Sequence, residues 1–170
     1  MALIRCDLYA FLPAPGDDCI HVLKLEPSEV LNSPLRGSYT IDYLNNLQQR
    51  YDALSYTWGD PVFNHWLHID TRTETSVGRS VVPITQNLDQ VLRYLRSPKE
   101  TRRLWIDAVC INQQDRGEKN TQVPLMSRIY REASRVLVWL GGSCAEGEAL
   151  LCLDSISRYR KINMKGEKTR

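Results

Sequence analysis

The sequence predicts an α/β domain in which helices flank a parallel sheet. Three apolar runs, at residues 51–59, 102–111 and 135–141, are rich in branched and aromatic side chains, as is typical of buried strands. Segments with apolar residues at helical spacing lie between and after these runs. Strands that alternate with helices form parallel sheets through right-handed crossovers, so we expect helices on both faces.

Residues 1–50 are predicted to add β structure ahead of that core. Residues 3–11 and 20–26 flank a turn that contains proline and glycine, which predicts an N-terminal hairpin. Residues 27–50 mix Pro, Asn, Ser and Gly with a weak helical spacing of apolar residues. They therefore predict a loop with one short helix.

The first core strand, within 51–59, is predicted to end before Pro61, because proline cannot continue a central ladder. Residues 66–70 and 80–84 predict a second, inserted hairpin around a polar tip. Pro83 lacks an amide hydrogen and therefore marks one of these two strands as an edge strand.

Thr85 is predicted to cap a helix that ends at Ser97 and Pro98. The apolar residues of this helix are Leu88, Val91, Leu92 and Leu95. The run 102–111 then predicts a strand buried on both faces, in which Asp107 is the single internal charge.

Two further helices are predicted on either side of the strand 135–141. The first has Pro124 in its first turn and helical spacing at Met126, Ile129, Tyr130 and Ala133. The second begins at a capping box of Ser143 and Glu146. Its apolar residues are Leu150, Leu153 and Ile156.

The composition is that of an ordinary globular domain. Of 170 residues, 42% are hydrophobic and 25% charged, and the net charge is +2, which provides no strong field for nucleic acid or an anionic membrane. Residues 158–170 hold six basic residues and one acid, a local charge of +5 that leaves −3 for residues 1–157. The body is therefore mildly acidic and the tail is basic.

Cysteine usage and hydropathy predict a cytoplasmic protein without a membrane span. The five cysteines are an odd number with no C-x-x-C pair, and none lies at zinc-ligand spacing from the three histidines. We therefore expect neither a disulfide framework nor a bound metal. No signal peptide is visible, and no apolar run approaches the roughly 20 residues of a spanning helix.

Three stretches of the chain resemble the fungal heterokaryon incompatibility (HET) domain. They are YDALSYTWGDP (51–61), NLDQVLRYLR (87–96) and LWIDAVCINQQDRGEKNTQVPLMSRIYREASRVLVWLG (104–141). IHVLKLEP is similar to the strand with which many members begin, so the resemblance spans roughly residues 20–142. It implies a role in heterokaryon incompatibility, which is programmed cell death and allorecognition in fungal innate immunity.

The resemblance also implies a fold and a domain organisation. HET domains are considered distant relatives of the TIR domain, which implies a TIR-like or flavodoxin-like parallel sheet with N-terminal and inserted β-hairpins. We expect a single HET domain over 1–157, with β additions at 1–50 and a TIR-like core at 51–157. Residues 158–170 are then a basic tail or the start of a downstream region.

Some TIR domains cleave NAD, so the resemblance implies NAD as a substrate and no tightly bound cofactor. Breaking the bond between nicotinamide and ribose develops an oxocarbenium ion, which one carboxylate can stabilise. The candidates are Glu148 by TIR topology, and Glu118 and Asp107 by HET pattern. In α/β sheets ligands bind beyond the carboxyl ends of the strands. The residues predicted there to contact NAD are Ser55, Tyr56, Trp58, Gly59, Asn112, Gln113 and Asp115.

Structural roles compete with these assignments. Asp107 also fits a structural role, in which its carboxylate accepts hydrogen bonds from the backbone amides of the loop that follows it. Asn112 and Gln113 fit a role in ordering that loop through Asx-type turns. Trp58 suits core packing. Two functions therefore stay open: a NAD glycohydrolase, and a non-catalytic module that self-associates when an upstream sensor clusters it.

Overall fold

The computed structural model describes residues 18–46, 50–72, 77–139 and 150–154. Over these residues the chain forms one eight-stranded sheet in the order β5-β4-β2-β1-β6-β3-β7-β8. The strands are β1 (Cys19–Leu25), β2 (Leu35–Tyr43), β3 (Asp52–Tyr56), β4 (His65–Arg72), β5 (Val77–Ile84), β6 (Arg102–Trp105), β7 (Arg135–Trp139) and β8 (Leu150–Asp154). The helices are α1 (Gln86–Leu95), α2 (Asp107–Cys110) and α3 (Arg116–Glu132).

Three adjacent strands of the sheet, β6, β3 and β7, are parallel, as predicted for the core. Strand β3 runs parallel to both neighbours, so that Ala53 lies opposite Trp105 of β6 and Val136 of β7. The remainder is mixed, since β1 is antiparallel to β2 and β6 while β2 and β4 are parallel. The α/β class is therefore confirmed, but the sheet as a whole is not parallel.

The inserted hairpin is confirmed as β4 and β5, which pair antiparallel along their whole length. Strand β5 ends the sheet on one side, so Pro83 does stand on an edge strand. The first strand of the predicted N-terminal hairpin, at 3–11, lies outside the described residues.

Helices pack on both faces of the three parallel strands, also as predicted. Tyr130 of α3 meets Trp105 edge to face at 5.6 Å, and Trp105 shares the face of Ala53. Tyr94 of α1 lies 5.5 Å from Trp139, which shares the opposite face with Tyr56. The Thr85 side chain caps α1 by accepting from the Leu88 amide, which confirms the predicted start of that helix.

The prediction of a loop with a short helix over 27–50 is wrong. Residues 35–43 form β2, which pairs with all of β1 and, from Leu35 to Gly37, with β4. Most β2 side chains are half-buried or exposed, so the strand lacks the apolar alternation that would have revealed it. Its conformation comes from long-range pairing rather than from local pattern.

Two predicted boundaries in the segment after α1 are also wrong. Strand β6 stops at Trp105, and α2 occupies the second half of the run that predicted one long strand. Helix α3 begins at Arg116, so Pro124 lies in its interior and not in its first turn. The capping side chain is Asp115, which accepts from the amides of Gly117 and Glu118.

The last predicted helix is contradicted where the structure describes it. Residues 150–154 form β8, which pairs antiparallel with β7. The capping-box residues Ser143 and Glu146 lie outside the described residues. The spacing of Leu150 and Leu153 fits one face of a helix. The segment instead forms a strand, which provides hydrogen-bond partners for the backbone groups along the edge of β7.

Candidate functional site

The candidate site lies where the parallel strands β3 and β6 end. Because their carboxyl ends meet at one edge of the sheet, the segments 57–64 and 106–115 come together there. The candidate Glu148, which follows β7 in the sequence, lies outside the described residues.

Asp107 is the carboxylate that joins these two segments. Its Oδ2 accepts a hydrogen bond of 3.3 Å from the Trp58 indole, and its Oδ1 accepts one of 2.8 Å from the Ala108 amide. The Gln113 side chain donates to the Asp107 carbonyl at 2.8 Å and fixes the backbone behind it. Burial raises the pKa of the Asp107 carboxyl, and the two donors oppose that shift.

Trp58 also forms one wall of a half-open groove of about 490 Å³. The residues that line this groove are Trp58, Gly59, Asp60, Val62, Asn64, Gln86 and Asn87. Trp58 is 40% exposed, so its ring is available to a ligand rather than packed in the core. Its indole hydrogen bond places the Asp107 carboxylate at the edge of this ring, and Asp107 itself does not line the groove.

Gly59 shapes the groove through its backbone. It has a φ of +72°, the left-handed region that favours glycine, and an added Cβ would lie 2.8 Å from Asn87 Nδ2. Asn87 uses that nitrogen to donate to the Thr57 carbonyl at 3.0 Å. The missing side chain at Gly59 thus allows the start of α1 to bond the end of β3.

Gly59→Ala is expected to lower the free energy of unfolding by about 1–2 kcal/mol, because the left-handed conformation and the contact with Asn87 both become unfavourable. Denaturant unfolding of both proteins measures the change. In an Asn87→Ala background the contact is absent, so the same glycine substitution is expected to cost less. An equal cost in the two backgrounds would show that the contact contributes nothing.

Glu118 and Asp115 lie in a separate cluster that organises the loop before α3. Glu118 is buried, and its Oε1 accepts from the Asn112 amide at 2.9 Å. Asp115 caps α3, and Asn112 Oδ1 accepts from the Gln114 amide at 3.0 Å in an Asx-type turn. None of these residues lines the groove.

Comparison with known proteins identifies the family. The family model described as heterokaryon incompatibility protein (HET) matches residues 51–170. This chain belongs to the HET family. Heterokaryon incompatibility protein 6, OR allele, from Neurospora crassa is 46% identical over 98 residues, which cover 54% of this chain and 14% of that protein. No solved structure matches the chain.

Sequence reasoning missed two groups around Asp107 of this HET domain. Tyr130 was predicted only as part of the apolar stripe of α3, yet its phenol donates to the Leu54 carbonyl at 3.1 Å. Burial and the nearby Asp107 raise the pKa of Tyr130 to about 12 and also raise that of Tyr56. A hydroxyl within an otherwise apolar stripe was the available signal.

The amides that line the groove were the second omission. Asn87 lies in a stretch that resembles the family, but the spacing of its apolar neighbours predicts only a helix there. Gln86 and Asn87 form the first turn of α1, and only the packing of that helix brings them to Gly59. Within the described residues no helix is long and apolar enough to cross a membrane, and no cluster of metal-ligating side chains occurs.

The raised pKa of Asp107 predicts a pH-dependent contribution to stability. The folded HET domain holds this proton to higher pH than the unfolded chain, so the contribution is present at low pH and is lost as pH rises through the folded pKa. We expect the unfolding free energy of the wild type, minus that of Asp107→Asn, to decrease from about pH 4 upward. Urea unfolding across this range measures the difference, and a constant difference would contradict the effect of burial.

Proposed function

We propose that this HET domain is an effector or relay of fungal heterokaryon incompatibility that acts in the cytoplasm and leads to programmed cell death. Membership of the family and the similarity to a Neurospora crassa incompatibility protein support this role. The aligned part is 14% of that relative, so the similarity supports a role for this domain and not the functions of the relative's other regions. An upstream sensor is the expected partner.

The chemistry that fits the groove best is cleavage of NAD between nicotinamide and ribose. The observation that carries this proposal is the hydrogen bond from Trp58 to Asp107, which joins an aromatic wall to a carboxylate. As nicotinamide leaves, positive charge develops on the ribose, and a fixed carboxylate stabilises it. Nicotinamide departs as a neutral base, so the leaving group requires no proton.

Asp107 is the acid that we assign to this step. The Glu118 carboxylate accepts from the loop backbone that it orders, whereas the Asp107 carboxylate accepts from the edge of the Trp58 ring, which lines the groove. Glu148 remains the alternative acid if the relationship to TIR domains extends to the segment after β7. Of the residues predicted to contact NAD, Trp58 and Gly59 line the groove, and Tyr56 lies close enough to Asp107 for that carboxylate to raise its pKa. The other predicted contacts, Ser55, Asn112, Gln113 and Asp115, are not among the described residues that line the groove.

The test is to incubate the purified chain with NAD at increasing protein concentration and to follow nicotinamide by chromatography. Release that depends on the protein supports the proposal. Absence of release, even from protein clustered by fusion to an oligomeric tag, would refute the enzymatic part and leave the incompatibility role to assembly.

A second candidate function is a non-catalytic module that self-associates. It is favoured by four large apolar side chains that face solvent in two loops. They are Val30 at 63%, Leu31 at 64%, Val62 at 56% and Phe63 at 50% exposure. Light scattering would show concentration-dependent assembly of the wild type that Leu31→Asp or Phe63→Asp abolishes. Monomers at all concentrations would refute this candidate.

A further inference from the structure

Two exposed apolar patches lie at opposite ends of helix α1. At its carboxyl end is the apolar pair Val30 and Leu31, which is exposed in the loop 28–34. At its amino end is the groove, whose lining includes the exposed side chains of Trp58 and Val62. Apolar side chains gathered at one place on a surface are typical of interaction sites.

The loop 28–34 is fixed with its apolar pair toward solvent. The Ser28 amide donates to the Ser97 carbonyl at 3.0 Å, just after α1. Arg93 and Arg96 hold the loop as well, because their guanidinium groups donate to four of its carbonyls. These carbonyls belong to Val30, Leu31, Ser33 and Pro34. The loop could turn its apolar pair inward only by losing charge-assisted hydrogen bonds, so the pair is preorganised for a contact.

The apolar pair cannot fill the groove of its own chain. Gln86 and Asn87, in the first turn of α1, line the groove, whereas the loop is bonded to Arg93, Arg96 and Ser97 at the other end. A helix of ten residues is about 15 Å long, which separates the loop from the groove. The groove of about 490 Å³ is larger than two aliphatic side chains, so the loop of a second copy can enter it.

We infer that the apolar pair of one copy docks into the groove of the next copy, beside Trp58 and Val62. A patch and a pocket on different parts of one chain form a heterologous contact, which repeats head to tail instead of closing as a symmetric dimer. The net charge of +2 offers little long-range repulsion between copies. This inference rests on the second candidate function, self-association, for which it names both sides of the contact, since a groove filled by the loop excludes NAD.

Each contact of this kind is weak on its own. Two aliphatic side chains in one groove bury less surface than the roughly 1,000 Å² that a stable interface needs. Glu29 beside the apolar pair and Asp60 in the groove are both acidic and add no attraction. Rows of many copies therefore form only at high local concentration, such as an upstream sensor would create.

The test compares two variants that each remove one side of the contact. Leu31→Asp disrupts the apolar pair and keeps the groove, whereas Val62→Asp places a charge in the groove and keeps the loop. Both residues are more than half exposed, so we expect either variant to fold, which circular dichroism checks. Val123→Asp is the matched control, because Val123 is similarly exposed on α3 and belongs to neither patch.

We expect sedimentation velocity to show that the wild type and Val123→Asp form species that grow beyond two chains as concentration rises. Leu31→Asp and Val62→Asp should each require at least about tenfold higher concentration, because docking would bury a charge. An equal mixture of these two variants should form a species of two chains and no larger, since one intact groove meets one intact loop.

The Trp58 indole reports whether the groove is the place of contact. In ¹⁵N-labelled Leu31→Asp its signal is one of up to four, and it is identified by its loss when Trp58→Phe is added to this variant. The signal should move when unlabelled Val62→Asp is added. It should not move when the unlabelled double variant Leu31→Asp/Val62→Asp is added.

Other outcomes overturn the inference. If the wild type assembles but the mixture stays monomeric, the head-to-tail contact is refuted and self-association through another surface is upheld. A mixture that grows beyond two chains, or a stationary Trp58 signal, also refutes the contact. Monomeric wild type at every concentration would refute the inference and the self-association together, and nicotinamide release, measured separately, tests the enzymatic candidate.

Discussion

Replacing Asp107 with asparagine is expected to lower nicotinamide release from NAD by about 100-fold or more. Asparagine keeps the size of the side chain and one acceptor for the Trp58 indole or the Ala108 amide. It removes the negative charge that would stabilise the oxocarbenium ion. Loss of one preorganised electrostatic group typically costs about 10²–10³ in turnover.

Two variants make this result specific. Glu118→Gln keeps an acceptor for the Asn112 amide and neutralises the other candidate carboxylate, so release within about tenfold of wild type is expected. Asp70→Asn neutralises a half-buried aspartate of β4 and serves as the matched control. A larger loss in Glu118→Gln than in Asp107→Asn would reverse the assignment. Full activity in both would transfer it to Glu148.

The parts of the fold that local pattern determines were predictable from the sequence. The hairpin of β4 and β5 is formed by neighbouring segments, and Pro83 marks its edge position through a missing amide hydrogen. Strand β2 was not predictable in this way, because its pairing of Leu35 with Leu67 joins residues far apart in sequence. Long-range pairing leaves no local periodicity when most side chains of a strand are half-exposed.

The error at 102–111 has a different cause. Val109 and Cys110 are buried in α2 as they would be in a buried strand, so hydrophobicity alone cannot separate the two structures. The short helix turns the chain after Trp105 and brings the Asp107 carboxylate to Trp58. The functional geometry therefore depends on the feature that the apolar run concealed.

The location of the candidate site was predictable, whereas its contacts were not. The rule that ligands bind at the carboxyl ends of parallel strands is enough to place Asp107 and Trp58 at one edge. It could not give the hydrogen bond between them, and it could not show that Glu118 orders a loop. Asn87 enters the groove only because α1 packs with its first turn beside Gly59.

Arg96 illustrates an interaction that no sequence pattern announced. This buried residue follows α1, and its guanidinium donates to four carbonyls of one loop, with N···O distances of 2.6–3.3 Å. The carbonyls belong to Val30, Leu31, Ser33 and Pro34. Burial lowers the pKa of Arg96, and the neighbouring Arg93 contributes to the shift. The loop thus turns its carbonyls inward and its apolar side chains, Val30 and Leu31, toward solvent.

Arg96→Met is expected to lower the free energy of unfolding by about 1–3 kcal/mol, since methionine retains the aliphatic stem but removes the charged donor of the Val30 and Pro34 carbonyls. Arg93 still donates to the carbonyls of Leu31 and Ser33. Arg96→Lys should recover only a small part, because a single ammonium group cannot reach the four acceptors that a planar guanidinium spans. Arg131→Met removes an exposed arginine of α3 and should cost less than about 0.5 kcal/mol. Urea unfolding compares the three, and limited proteolysis reports the loop itself. Equal unfolding free energies and equal proteolysis of the loop in Arg96→Met and Arg131→Met would contradict this prediction. Water would then satisfy the loop carbonyls as well as Arg96 does, and the exposed position of Val30 and Leu31 would need another explanation.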